Sequence, residues 1–215
     1  MESDEGHDRL LFAIAKAWKG LQGELLVQGD GDAPPAAAPA LTLRSFSHGC
    51  SLISPLFGCL GIAFKFAEKD YVAKVHDLCE AAKEYDTLSV MVDQDIKNQT
   101  VRNGGSHTRN LLRVLRGVDM VRVLFEHILV TEGNSLKEPA SKAYEQVFAP
   151  HHSWTIRKVV SAGMLMLPTK IQFLKKLNEE EDSAKGHIEE FVKSAGPVVQ
   201  YVNNIYLNKE LGTDW

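Results

Sequence analysis

Apolar residues recur at helical spacing along most of this chain, and nowhere with the alternation of a strand. Leu10, Leu11, Ile14, Ala15, Trp18, Leu21 and Leu25 share one stripe, which predicts an amphipathic helix from residue 8 to about 27. The run GDGDAPPAAAPAL then breaks the pattern, and its prolines and glycines predict a mobile linker. A second helix is expected over about 43–65, bent near Pro55. No Asp, Glu, Lys or Arg separates Arg44 from Lys65. Length alone would let that stretch cross a bilayer. His48, Pro55 and the interspersed serines and glycines make insertion poorly driven, so a helix buried on most sides is the better reading.

Four more elements lead up to the centre of the chain. A third helix is expected over about 68–84. Asp86 or Thr87 can cap a fourth, over about 88–102. Asn103-Gly104-Gly105 reads as a turn, after which Ser106 can cap a long helix to about Val130, ended by Gly133-Asn134. A short helix over about 139–148 stops at Ala149-Pro150. His151 to Leu167 then reads as one helix before Pro168, and residues 169–177 as a short helical turn. The last helix, about 180–208, carries Ile188, Phe191, Val192, Ala195, Val199, Val202 and Ile205 on one face, and Pro197 should kink it. No internal repeat is visible. The fold class is all-α.

Composition narrows the function. At 215 residues the chain suits one domain, and 44% apolar content is ordinary for a globular protein. A net charge of −4 argues against nucleic acid as a partner and against broad attraction to anionic membranes. Any anion site must be a local concentration of bases. Cys50, Cys59 and Cys79 are odd in number and lack C-x-x-C spacing, so reduced thiols are expected rather than disulfides or structural zinc. The start MESDEGHD is acidic and has no early apolar run, Glu2 excludes myristoylation, and GTDW is not a prenylation box. The expected location is therefore the cytosol.

Three groups of residues carry candidate chemistry. Asp70 and Lys74 are four apart in KDYVAKV, and Arg109 and Arg113 are four apart in SHTRNLLRVLRG. On helices that spacing puts both members of a pair on one face. Arg116 extends the arginine stripe as a supporting base. His152 stands two residues before Trp154 in APHHSW. Taken singly, each has a bland reading: a surface ion pair, a solvated basic face, a structural histidine. Taken together, three cations, one carboxylate and one imidazole suit an anionic headgroup that also bears an amide. Arginine is shaped for bidentate phosphate recognition, and a phosphomonoester carries a charge of about −1.5 to −2. Enzyme chemistry finds little support, because the chain has no G-x-S-x-G, H-E-x-x-H or Walker loop. His151-His152 with Asp70 lacks further ligands at metal-binding spacing. No metal and no cofactor is expected.

Four stretches, FSHGCSLISPLFGCLGIAFKFAEKDYVAKV, GSHTRNLLRVLRG, QVFAPHHSW and the terminal LGTDW, resemble the glycolipid transfer protein family. They look most like its phosphosphingolipid branch, the ceramide-1-phosphate transfer proteins, over about residues 43–215. The resemblance implies a two-layer all-α sandwich enclosing an apolar lipid pocket, spanning residues 42–215. Residues 1–41 would supply an N-terminal helix and linker packed on it. It implies a carrier rather than an enzyme, moving ceramide-1-phosphate or a related phosphosphingolipid between membranes. Contact with the membrane surface would be transient and peripheral. Asp70 would take the sphingoid amide N–H and hydroxyl, Lys74, Arg109 and Arg113 the phosphate, and His152 the amide carbonyl. Trp154 would dock on the membrane. The glycolipid-specific branch has tryptophan in place of Arg109 and asparagine in place of Lys74, so a phosphate is expected here rather than a sugar. The alternative is a lipid-regulated sensor in cell-death or defence signalling, with the acidic NEEED run at 178–182 as a protein-docking surface. Either way the tails must be enclosed. Roughly thirty methylenes left bare in water would cost on the order of 20 kcal/mol, at about 0.8 kcal/mol each.

Overall fold

The computed structural model describes residues 9–27 and 40–215. Within them the chain forms α-helices, three short 3-10 turns and two isolated β-bridges, with no strand. The helices are α1 (Leu10–Val27), α2 (Leu43–Cys59), α3 (Lys65–Ala81), α4 (Leu88–Lys97), α5 (His107–Val130), α6 (Lys137–Val147), α7 (Trp154–Gly163), α8 (Lys170–Lys176) and α9 (Glu181–Asn208). Residue 8, at the expected start of the first helix, and nearly all of the Gly/Pro/Ala linker lie outside the described residues.

Three boundaries differ from expectation. The helix expected over 43–65 stops at Cys59, because Gly61 takes a left-handed φ of 105° that ends the α-helical path. A 3-10 turn, Ile62–Phe64, then leads into α3. The fourth helix ends at Lys97 rather than near 102, with Gln99 at φ 58° and the Thr100 N–H donating back to the Asp95 carbonyl at 2.9 Å. The single helix expected from His151 to Leu167 is three pieces. A 3-10 turn at Ala149–His151 precedes an extended His152, and Ser153 caps α7 by accepting the Ile156 N–H at 3.4 Å. A second 3-10 turn, Met164–Met166, follows. α9 runs through Pro197 without interruption. No helix among the described residues is long and apolar enough to cross a membrane.

The helices stack as a two-layer sandwich with α5 at its centre, touching α3, α4, α6 and α9. α1 packs on α9 and α2. Trp18 joins these three helices. Its ring meets Phe191 of α9 and Phe46 of α2 edge-on, and its indole N–H donates to the Gly49 carbonyl at 3.2 Å. The core is one continuous cluster from Leu11 to Tyr206.

Two features set the relation of α3 to α5, and so the site. At Gly117 the ring of Tyr71 lies where a side chain would begin, 2.6 Å from the Cβ that an alanine would carry. Only glycine permits so close an approach. Further along, the Asp77 carboxylate accepts from Asn110 at 2.8 Å and lies 3.0 Å from His107 Nδ1. The two helices are thus antiparallel, and the register brings Lys74 opposite Arg113 and Asp70 beside the Arg116–Gly117 turn.

Candidate anion-binding site

The first turn of α5 is anchored before it presents any base. Ser106 caps it, accepting the Arg109 N–H at 3.1 Å. The buried Asp95 carboxylate accepts both the Thr108 N–H at 2.8 Å and the Thr108 hydroxyl at 2.7 Å, and Tyr206 donates to the Thr108 carbonyl at 2.6 Å. From this base Arg109, Arg113 and Arg116 rise along one half-buried stripe.

Their partners differ. Arg109 donates from Nη1 to the Arg102 carbonyl at 3.3 Å. Arg113 makes no side-chain hydrogen bond or ion pair among the described residues, so its donors are unspent. Arg116 donates to the carbonyls of Thr213 at 2.6 Å and Trp215 at 2.9 Å. The same terminal segment holds Arg102, whose guanidinium lies 5.3 Å over the Trp215 ring and donates to the Leu211 carbonyl at 3.4 Å. Arg102 and Arg116 are thereby occupied. Opposite them on α3, Lys74 is ion-paired with Asp70; the lysine is mostly covered while the carboxylate is exposed.

His152 completes the cluster. Its ring stacks on Phe148 at 5.5 Å, its Nδ1 lies 2.9 Å from the Tyr144 hydroxyl, and Arg157 Nε donates to its carbonyl at 2.9 Å. Burial, followed by the charges of His151, Arg113, Arg116 and Arg157, pushes its pKa below the ordinary 6.5. The imidazole is therefore neutral at pH 7. The folded state binds fewer protons here than the unfolded chain, so the contribution to stability is full above 6.5 and is lost as pH falls through the lowered value. Burial also raises the Tyr144 phenol, which keeps its proton and so can donate it to Nδ1. In that arrangement Nε2 carries the ring hydrogen and is the donor available to a ligand carbonyl. Tyr144→Phe should weaken lipid retention about 2- to 12-fold, the worth of one ordinary hydrogen bond. Imidazole nitrogen NMR should show the Nε2–H form giving way to a tautomer mixture. An unchanged tautomer in that variant would remove Tyr144 from the site.

The structure thus places Lys74, Arg113 and His152 in one locale, with Asp70 and Arg109 continuing the same faces. Trp154 stands apart, 72% exposed at the start of α7, and is not core. The acidic run at 178–182 is partly spent internally: Glu179 is buried near Arg9 and Ser183, and Glu181 pairs with Lys170. Among the described residues no His, Cys, Asp or Glu group could hold a metal ion. Periodicity gave no sign of Tyr144, Arg157 or Arg102: the first two act through contacts with other segments, and Arg102 lies in the turn between α4 and α5.

Residues 41–179 match the glycolipid transfer protein (GLTP) family. The chain belongs to that family. Its members are lipid carriers rather than enzymes. Accelerated cell death 11 of Arabidopsis thaliana is 60% identical over 178 residues, 82% of this chain and 86% of that protein. A ceramide-1-phosphate transfer protein of Xenopus tropicalis is 25% identical over 178 residues, 77% and 80% of the two chains. Among solved structures, an aspartate-to-asparagine mutant of the Arabidopsis protein complexed with ceramide-1-phosphate superposes with TM-score 0.90 at 53% identity. That match covers 98% of this chain and 100% of the other. Within the GLTP family this chain therefore has a near structural relative that binds a phosphosphingolipid.

Proposed function

We propose that this protein carries ceramide-1-phosphate, or a hydroxylated relative of it, between membranes without chemical change. The observation that carries the reading is Arg113: a half-buried guanidinium with no partner among the described residues, opposite Lys74 and beside a neutral His152. Such an arrangement has a net positive face for a phosphate and a ring donor for a carbonyl. In this reading Lys74, Arg109 and Arg113 hold the phosphate, and Asp70 and His152 hold the amide. The tails enter between the helix layers, displacing core contacts. Binding of ceramide-1-phosphate by the Arabidopsis relative supports the same assignment. Residues 9–27 and 40–215 act here as one folding unit, at work in the cytosol.

We place the membrane contact on α7 and the turns beside it. The 61–66 segment lies against the 163–166 turn: a Cβ on Gly163 would sit 3.5 Å from Ala63 Cβ. Ile62 and Phe66 are each 84% exposed, and Trp154, Val159, Leu165 and Met166 are also largely exposed. Apolar groups left bare together in this way mark an interaction surface. Trp154 suits a shallow, reversible anchor, since indoles favour the membrane–water boundary. Native mass spectrometry after incubation with mixed lipids should show ceramide-1-phosphate retained over glucosylceramide and phosphatidic acid. Trp154→Ala should bind vesicles several-fold more weakly with an unchanged melting temperature. Preferential retention of glucosylceramide would overturn the headgroup assignment, and unaltered partitioning would overturn the docking face.

A further inference from the structure

α7 is held to the body by very little. Of its ten residues only Gly163 is buried. Trp154, Lys158 and Ser161 follow one another at spacings of four and three, so they lie on a single stripe. Lys158 Nζ sits 5.6 Å over the Trp154 ring. Ser161 is exposed, and its hydroxyl donates only to the Arg157 carbonyl one turn back, at 2.8 Å. Two cations, Arg157 and Lys158, precede it by four and three positions.

We propose that Ser161 is a phosphorylation site for a protein kinase with an acidic substrate groove, and that its phosphate releases the protein from membranes. The proposal rests on the docking face assigned above. Arg157 and Lys158 supply the charge such a groove recognises. A kinase reads an extended segment, and α7 can unwind locally because doing so uncovers almost no core. In the transfer, Ser161 Oγ bonds to the γ-phosphorus of a nucleoside triphosphate while the bond from that phosphorus to the β–γ bridging oxygen breaks. Nucleoside diphosphate leaves, and the hydroxyl proton passes to the kinase's catalytic carboxylate.

The product sits on the same stripe as Trp154 and carries a charge of about −1.5 to −2. It neutralises Arg157 and Lys158, the two bases of this helix that face an anionic surface. Each such base contributes roughly fivefold to partitioning onto anionic lipid, so losing both lowers partitioning about 25-fold. Arg157 meets His152 through Nε. Its terminal nitrogens are the ones that reach the phosphate, so the headgroup site keeps its support.

The test treats the full chain with the catalytic subunit of a basophilic kinase and ATP, and locates phosphate by peptide mass mapping. Partitioning is then measured on phosphatidylcholine vesicles containing phosphatidylserine. The expected result is phosphate on Ser161, none at that peptide in Ser161→Ala, and partitioning about 25-fold weaker that phosphatase treatment restores. Ceramide-1-phosphate retention should not change, and Ser161→Glu should move partitioning the same way. No incorporation at Ser161 overturns the proposal. So does unchanged partitioning of the phosphoprotein while Trp154→Ala falls, which leaves the docking face standing. If neither falls, the docking face fails and this proposal with it.

Discussion

Arg113→Ala is expected to cut ceramide-1-phosphate transfer by about 10- to 150-fold while leaving the melting temperature unchanged. A hydrogen bond to a charged group is worth about 1.5–3 kcal/mol, and each 1.4 kcal/mol is about tenfold. The unchanged stability follows from the absence of any Arg113 partner among the described residues: nothing native is broken by removing it. Arg109→Ala and Lys74→Ala should also slow transfer, since the proposed site gives both side chains to the same phosphate. Arg116→Ala should behave differently. It holds the Thr213 and Trp215 carbonyls, so its loss should lower stability first. Vesicle-to-vesicle transfer of a fluorescent ceramide-1-phosphate, alongside thermal melts, separates the two patterns. Near-normal transfer by the Arg109, Arg113 and Lys74 variants together would remove the phosphate site.

Trp18→Ala should destabilise the protein by about 3–5 kcal/mol, the usual cost of emptying a large aromatic site in a core. For a chain of this size that is a fall of roughly 10 °C in melting temperature, at about 2–4 °C per kcal/mol. Trp18 is fully buried, meets two aromatic rings on different helices and donates to Gly49. The pocket it leaves cannot close by simple collapse, because Leu21 already crowds Gly49: a Cβ there would stand 2.9 Å from Leu21 Cδ1. A calorimetric melt decides the matter, and it also tests whether α1 folds with the rest. An unaltered transition in Trp18→Ala would mean that α1 is a loosely attached appendage.

The helical stripes were readable in the sequence because burial in such a sandwich repeats with the helix period. Leu11, Ile14, Trp18 and Leu21 are all buried as their spacing requires. The breaks were harder to read. Gly61 interrupts a run whose apolar residues continue beyond it, so periodicity gives no warning of its left-handed backbone. The same holds around His152, where a polar cap at Ser153 is enough to divide what looks like one helix. At the site, residue type and spacing pointed to the arginine stripe but could not rank its members. Arg113 and Arg116 are equivalent by periodicity. The difference between them lies about a hundred residues away, in carbonyls of the terminal segment that occupy one and leave the other. Tyr144 was invisible for a similar reason, since its role is defined only by the ring it touches.

The Asp70–Lys74 ion pair means that the site contains its own counter-ion. In water that pair is worth little and parts easily. Under a bound lipid it would lose its hydration, and each half would need a partner of its own. Inorganic phosphate can take the lysine but strands the carboxylate, while a neutral amide can satisfy the carboxylate but strands the ammonium. A molecule that offers an N–H and a phosphate together, at the right separation, relieves both demands in one step. If Asp70 takes the amide and Lys74 the phosphate as proposed, the pair would favour a ligand that carries both groups over one that carries either alone.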